Sequence, residues 1–141
     1  MAFPYGRILN PIDLAENPAK VLQVATDFAR QNDGTIFLIY VIPAFVQPGD
    51  LPSYVPQYRA EKEVAHEKLE DIASRYLVGI KYEIVVEVGS PALAILRAAT
   101  TLSADVIIMA THGRTGFNRA FFGSVAEEVL RETPCPVLTI R

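Results

Sequence analysis

The sequence is poor in residues that support redox, metal and membrane chemistry. It contains one cysteine, Cys135, and two histidines, His66 and His112, among 141 residues. One cysteine cannot form an intrachain disulfide, and these histidines lack the neighbouring ligands of a zinc site. No apolar run approaches the roughly 18 residues of a membrane span, and the N-terminus does not read as a secretory signal. These absences predict a soluble, cytoplasmic protein without a metal site.

Positive charge is also scarce. The 13 lysines and arginines are outnumbered by 16 aspartates and glutamates, which gives a formal net charge of -3. Without an extended basic stripe, a nucleic-acid-binding role is not expected. Half of the residues are hydrophobic, which argues against disorder. A chain of this length predicts one domain, residues 1–141, with a substantial core.

Apolar runs alternate with helical patterns along the chain. Five strands are predicted at residues 7–12, 35–42, 80–86, 105–110 and 137–140. Helices are predicted from Asn17-Pro18, through 65–76, from Ser90-Pro91 and from Ser124. The near-continuous valine, isoleucine and leucine content of the strands is typical of a sheet buried on both faces. The order βαβαβαβαβ therefore predicts an α/β fold with an open, doubly wound parallel sheet and helices on both faces.

One segment interrupts this alternation. Residues 43–57 contain four prolines and a glycine, too many for a regular helix or an interior strand. A loop of this length is either a binding segment, such as a lid with Tyr54 and Tyr58, or a tolerated insertion. The sequence does not decide between these two roles.

The most informative segment is the loop from 111 to 123, which joins the fourth strand to the last helix. Gly113, Gly116 and Gly123 allow close approach of the backbone to a ligand. The loop contains two arginines and no carboxylate. The helix that starts at Ser124 would direct free N–H groups and its positive dipole end towards this loop. The segment therefore predicts a site for a small anionic ligand.

A purely structural interpretation of the same helix start remains open. The segment from Ser124 to Glu127 matches a capping box, in which the serine and glutamate side chains satisfy backbone N–H groups reciprocally. Such a helix needs no ligand. No P-loop lysine in a GxxxxGK[ST] arrangement is present, and no evident base stands near the loop. Fast nucleotide turnover is therefore not expected.

In open α/β sheets, ligands bind beyond the carboxyl ends of the strands, where the strand order reverses. Asp13 follows the first strand and the glycine loop follows the fourth. If those two strands are neighbours, Asp13 and Gly113 face one crevice from opposite sides. The alternative role of Asp13 is to cap a local turn.

Several segments together resemble a single-domain universal stress protein over nearly the full length of the chain. They are Pro11-Ile12-Asp13, the Val88-Gly89-Ser90-Pro91 turn, the strand end at 105–112, the glycine loop, and Cys135-Pro136-Val137-Leu138. The resemblance implies the strand order 3-2-1-4-5. It also implies a homodimer in which the last strands, residues 137–140, meet across a two-fold axis.

The nucleotide-binding branch of this family carries the loop Gly-x2-Gly-x9-Gly-(Ser/Thr). Gly113, Gly123 and Ser124 match that pattern. Ala110 stands where the branch has its first glycine. Its methyl group could weaken nucleotide binding by crowding the ligand or by straining a backbone that needs positive φ. The sequence leaves open whether binding is weakened or unchanged. The resemblance otherwise favours the nucleotide-binding branch.

The resemblance implies adenine near Pro11, Ile12, Asp13 and the main chain of Val41. Ribose and phosphates would lie along Met109, Ala110, His112, Gly113, Arg114, Gly123, Ser124 and Val125. Gly116, in the same glycine loop, is a further candidate for contact with the phosphates. Backbone N–H groups would cradle phosphate and Arg114 would add charged contacts. The implied ligand is ATP, ADP or AMP, with Mg2+ as a companion of the phosphates.

These observations predict a cytoplasmic, dimeric adenine-nucleotide-binding regulator or sensor of stress. Two alternatives remain. One is a slow Mg2+-dependent nucleotide hydrolase or self-phosphorylating protein. The other is a protein-interaction module whose nucleotide site is vestigial because of Ala110.

Overall fold

The computed structural model describes residues 5–44, 58–111 and 123–141 of the chain. The strands in these ranges are β1 (Arg7–Pro11), β2 (Thr35–Pro43), β3 (Lys81–Gly89), β4 (Val106–Ala110) and β5 (Val137–Ile140). The helices are α1 (Ala19–Asn32), α2 (Arg59–Tyr76), α3 (Pro91–Thr101) and α4 (Ser124–Glu132). Strands and helices alternate along the chain, as the sequence predicts.

The five strands form one parallel sheet in the order β3-β2-β1-β4-β5. The chain moves outward from β1 to β3, crosses back to β4 and continues to β5. Right-handed connections place α1 and α2 on one face and α3 and α4 on the other. The doubly wound fold and the strand order are therefore confirmed, and the order reverses between β1 and β4.

The core lies on both faces of the sheet. Ile8 of β1 packs with α1 and α2, whereas its neighbour Leu9 packs on the opposite face with α3 and α4. Both residues are fully buried, and Phe37 of β2 is 1% exposed. Burial of alternate residues on opposite faces explains why the central strands have continuous apolar sequences rather than an apolar–polar alternation.

The strand boundaries differ from the sequence prediction by one residue at the ends of β1 and β2 and at the starts of β3 and β4, and by three residues at the end of β3. β3 continues to Gly89, three residues beyond the predicted end at 86, because its pairing with β2 continues from Thr35 with Lys81 to Pro43 with Gly89. β2 includes Pro43, where a loop is predicted. The Ala44 N–H donates to the Gly89 carbonyl of β3 at 3.1 Å, so the N–H that Pro43 lacks would be directed to the other side of β2, where β1 has already ended. The rest of the predicted loop, residues 45–57, lies outside the described residues.

The ends of α1 show how local chemistry sets the helix boundaries. Asn17 Oδ1 accepts a hydrogen bond from the Ala19 N–H at 2.9 Å, and the helix begins at Ala19, one residue later than predicted. At the other end Asp33 adopts the left-handed conformation with φ 48°. Asp33, rather than the following glycine, therefore provides the left-handed turn.

None of the helices in the described ranges is long and apolar enough to cross a membrane.

Gly34 has a steric role, because the backbone preceding β1 passes directly beside it. A Cβ atom at Gly34 would lie 3.0 Å from the Gly6 carbonyl oxygen and 3.2 Å from that of Tyr5. The Gly34→Ala substitution should therefore lower the free energy of unfolding by about 1–3 kcal/mol, measured by urea denaturation. Gly6→Ala is the matched control, since its nearest contact would be Asp105 Oδ2 at 3.9 Å. Equal stability of the two variants would contradict this assignment.

Candidate functional site

A cleft of about 470 Å3 opens at the carboxyl end of the sheet, where β1 and β4 part. Its size falls within the range of small-molecule sites, and its position is the switch point of the fold. The lining residues come from the ends of β1, β2 and β4 and from the first turns of α3 and α4. They are Pro11, Ile12, Asp13, Ile39, Tyr40, Val41, Pro43, Pro91, Ile95, Met109, Ala110, Thr111, Gly123, Ser124, Val125 and Ala126.

One wall of the cleft is apolar. Ile39 and Val41 are buried residues on the same face of β2. They lie opposite Pro91 and Ile95, which are about one helical turn apart on α3. Met109 of β4, which is also buried, continues this surface towards the reversal point. Together these side chains form a surface suited to the flat, weakly polar face of a ring.

The start of α4 also lines the cleft. The Gly123 N–H donates to the Thr111 carbonyl at 2.7 Å, and the first bond of the helix runs from the Glu127 N–H to the Gly123 carbonyl at 3.0 Å. The N–H groups of Ser124, Val125 and Ala126 therefore have no intrahelical partner. Since all three residues line the cleft, these donors and the positive end of the helix dipole lie beside it.

The capping box that the sequence left open as an alternative interpretation of this helix start is not formed, whereas the predicted start at Ser124 is correct. Gly123 is the N-cap, with φ −57° and ψ 151°, and it has no side chain with which to cap the helix. Ser124 is already the first helical residue, so its hydroxyl is not in the position from which a cap accepts. Glu127 Oε1 instead contacts Arg131 at 3.2 Å, one turn along the helix. The first N–H groups of α4 are thus not satisfied by side chains within the described residues.

Asp13 combines the two roles considered for it. Its Oδ1 accepts from the Ala15 N–H at 2.9 Å, and its carbonyl accepts from the Glu16 N–H at 3.1 Å. These bonds form a turn directly after β1. The residue is exposed and also lines the cleft, so turn formation leaves the carboxylate accessible to a ligand.

Thr111 connects the cleft to the last strand. Its N–H donates to the Ile140 carbonyl at 2.9 Å and its hydroxyl to the same oxygen at 3.3 Å. The Thr111 carbonyl accepts from Gly123, as described above. The side chain is buried. Thr111 thereby links the ends of β4 and β5 to Gly123, the N-cap of α4.

The structure brings together every sequence-predicted site residue that lies in the described ranges. Those lining the one cleft are Pro11, Ile12, Asp13, Val41, Met109, Ala110, Gly123, Ser124 and Val125. The remaining candidates, His112, Gly113, Arg114 and Gly116, lie outside the described residues. The assignment of these residues to a ligand stays a prediction.

Sequence reasoning missed seven lining residues: Ile39, Tyr40, Pro43, Pro91, Ile95, Thr111 and Ala126. Two-residue periodicity could have added Ile39 and Pro43 to Val41, because alternate strand residues share a face. Pro91 and Ile95 share a helix face, yet no local pattern shows that α3 crosses over the end of β2. That placement follows from the crossover between β3 and β4.

The described residues offer little geometric basis for thiol chemistry or for a metal site. Cys135 is half-buried against the core, and burial raises the pKa of its thiol, so the thiolate is disfavoured. Within residues 5–44, 58–111 and 123–141, no three histidine, cysteine or carboxylate side chains are grouped so that they could hold a metal ion.

Comparison with known proteins decides the family. Residues 4–141 match the universal stress protein family. The chain belongs to this family. Universal stress protein MJ0531 from Methanocaldococcus jannaschii is 30% identical over 142 residues, which cover 97% of this chain and 82% of the relative. The match supports a role in the stress response.

Solved structures give the same fold. The structure of MJ0577, described in a structure-based assignment of biochemical function, has a TM-score of 0.79 and 28% identity, covering 97% of this chain and 96% of its own. A universal stress protein from Archaeoglobus fulgidus in complex with dAMP has a TM-score of 0.62 and 20% identity, covering 98% and 99%. The second likeness concerns the fold alone.

The geometry of Ala110 answers one question raised by the sequence. Its φ is not positive, unlike those of Asp33 and Ser103, so alanine introduces no left-handed strain at this position. Ala110→Gly should therefore lower stability by about 0.5–1 kcal/mol, because glycine loses more backbone entropy in a strand. Urea denaturation measures this change. An increase in stability would show that the methyl group is strained after all.

Proposed function

We propose that this universal stress protein binds an adenine nucleotide in the cleft and acts as a regulator or sensor in the stress response. The observation that carries the proposal is that one cleft is lined both by an apolar wall and by the first residues of α4, whose N–H groups have no intrahelical partner. A nucleotide has the same division, with an aromatic base at one end and an anionic phosphate at the other. The single cysteine favours a cytoplasmic location.

The base is proposed to lie on the apolar wall beside Val41. The pairing between β1 and β2 ends at Pro11 with Ile39, and one further bond joins the Ile12 N–H to the Ile39 carbonyl at 2.9 Å. β2 continues to Pro43. The backbone of Val41 therefore extends past the end of β1, where its main-chain groups can meet a base edge. Such fixed groups discriminate between the hydrogen-bonding edges of adenine and guanine.

The phosphates are proposed to lie at the start of α4. The N–H groups of Ser124, Val125 and Ala126 supply donors, and the helix dipole supplies positive potential without a side chain. Among the described cleft-lining residues Asp13 is the sole carboxylate, so Mg2+ is proposed to enter with the phosphates rather than to occupy a site of its own. His112, Gly113, Arg114 and Gly116 remain proposed contributors on sequence grounds.

The dAMP complex of the Archaeoglobus fulgidus relative supports the choice of an adenine nucleotide, because that protein has the same fold. We do not propose fast turnover. Asp13 is the one carboxylate among the described cleft-lining residues, and its Oδ1 already accepts from the Ala15 N–H in the turn after β1.

We further propose a homodimer formed through β5. The two edge strands of the sheet differ in charge: β3 carries exposed Lys81, Glu83 and Glu87, whereas β5 has the uncharged sequence VLTI. Charged side chains protect an edge from pairing with another chain, and an uncharged edge invites it. All four β5 residues retain partial exposure, which a second copy would cover.

The nucleotide proposal is tested by removing one N–H from α4. Ser124→Pro replaces the first helical residue, a position that proline favours, and Gly123 with φ −57° and ψ 151° already has the conformation required before proline. The helix should remain intact. Affinity for ATP and AMP should fall by about 1.5–3 kcal/mol, roughly ten- to a hundredfold in Kd, if that N–H binds phosphate. Isothermal titration calorimetry measures the change.

Ser124→Ala is the matched control, since it keeps the N–H and removes the hydroxyl. Its affinity should fall less than that of the proline variant. Unchanged affinity of Ser124→Pro would place the phosphates elsewhere, and equal wild-type affinity for ATP and GTP would contradict base recognition. No binding of any nucleotide, together with none released from the purified protein on denaturation, would favour the interaction-module alternative.

The dimer is tested at Thr139. The Pro136 and Ile140 carbonyls accept from the N–H groups of Ile107 and Thr111 on the β4 side, so the alternating backbone of β5 directs the Thr139 N–H away from the sheet. Thr139→Pro should therefore yield a folded monomer in sedimentation velocity. Leu138→Pro is the control, because it removes an N–H on the β4 side and should reduce stability. A wild-type protein that is monomeric at micromolar concentration would refute the proposed dimer.

A further inference from the structure

Pro11 creates an unusual problem at the floor of the cleft. It is the last residue of β1, which lies in the middle of the sheet between β2 and β4. Proline has no N–H group and is normally restricted to edge strands, first strand positions or bulges. A central strand that ends in proline leaves one acceptor on a neighbouring strand without its ladder donor.

The hydrogen-bonding pattern identifies that acceptor. The Ile12 N–H donates to β2. Because the backbone groups of successive strand residues point to opposite sides, those of Pro11 are directed to β4. The N–H groups of Ile107 and Thr111 donate to β5, so those of Ile108 are directed to β1. Leu9 pairs with Ile107; continuing this register, an N–H at position 11 would donate to the Ile108 carbonyl.

The Asn10 side chain makes this bond instead. Its Nδ2 donates to the Ile108 carbonyl oxygen at 2.7 Å. Asn10 is fully buried, and its Oδ1 has no hydrogen-bond partner among the described residues. A buried polar atom without a partner destabilises the fold. An asparagine at this position is therefore explained by the donor that it supplies.

We infer that Asn10 is a positioning residue for the cleft, with its amide in place of the N–H that Pro11 lacks. The bond joins β1 to β4 one residue before each strand contributes to the cleft, through Pro11 and Met109. It fixes the separation of the two strand ends that line the reversal point. The functional part of this inference rests on the proposed nucleotide binding, whereas the hydrogen-bond replacement does not.

A double-mutant cycle tests the replacement directly. Asn10→Leu removes the side-chain donor, and Pro11→Ala restores a backbone N–H directed at the same carbonyl. Pro11→Ala should be more favourable in the Asn10→Leu background than in the wild type. The expected coupling is roughly twofold to tenfold in the folding equilibrium constant, the contribution of one hydrogen bond. Urea denaturation measures it without any ligand.

The same four proteins are then titrated with AMP. Asn10→Leu should raise the Kd, and addition of Pro11→Ala should recover part of the loss, although Pro11→Ala alone also alters the cleft lining. Asn32→Leu is the matched control, because Asn32 Nδ2 likewise donates to a backbone carbonyl, that of Phe28, at 2.8 Å in α1. This variant should show no coupling to Pro11→Ala and no change in Kd.

The outcomes separate the two proposals. Additive effects of Asn10→Leu and Pro11→Ala on folding would overturn the hydrogen-bond replacement, whatever the protein binds. Coupling in folding with an unchanged AMP affinity of Asn10→Leu would overturn the positioning role. Coupling in folding with no AMP bound by the wild type would overturn the proposed function and, with it, the positioning role. If the leucine variants do not fold, the Asn10→Val pair provides the same comparison with a smaller side chain.

Discussion

The site depends on the point at which the β1–β4 ladder stops. The strands pair through Ile8 with Val106 and Leu9 with Ile107, and beyond these pairs β1 turns away at Asp13 while β4 continues to Ala110. The strand order reverses here: the connection after β1 leads to β2 on one side, and the connection after β4 leads to β5 on the other. Neither connection therefore covers the gap between β1 and β4. Every other feature of the cleft is arranged around that gap: β2 forms one wall, α3 covers it, and α4 starts beside it.

The gap has different chemistry on its two sides because two helices begin there with different first residues. α3 begins with Pro91, which has no N–H to offer and contributes ring carbons to the wall. α4 begins with Ser124, whose N–H is free of an intrahelical partner. Both helices have the same dipole, yet only α4 offers a donor at its first position. The first residues of the two helices thus give the cleft an apolar surface at α3 and a backbone donor at α4.

The sequence predicted the features that local patterns determine. The apolar runs located the strands, Ser90-Pro91 located the start of α3, and the family resemblance supplied the strand order. The sequence did not predict the contribution of Pro91 and Ile95, since contacts between α3 and β2 arise from a crossover and have no local signature. The start of α4 at Ser124 was predicted correctly, but the spacing of Ser124 and Glu127 left a capping box open as an alternative. That box does not form, because Gly123 is the N-cap and Ser124 is already helical.

That missing cap has a physical consequence for function. A side-chain cap stabilises a helix by about 1 kcal/mol because it satisfies an N–H that would otherwise lack a partner. Within the part of the chain that the structure describes, α4 lacks that contribution, because Gly123 has no side chain and Glu127 contacts Arg131 instead. A serine cap would accept from the same N–H groups that a phosphate needs. The first turn of α4 therefore gives up the stability of a serine cap and leaves these N–H groups without an intrahelical partner, and an anion bound there would act as the cap.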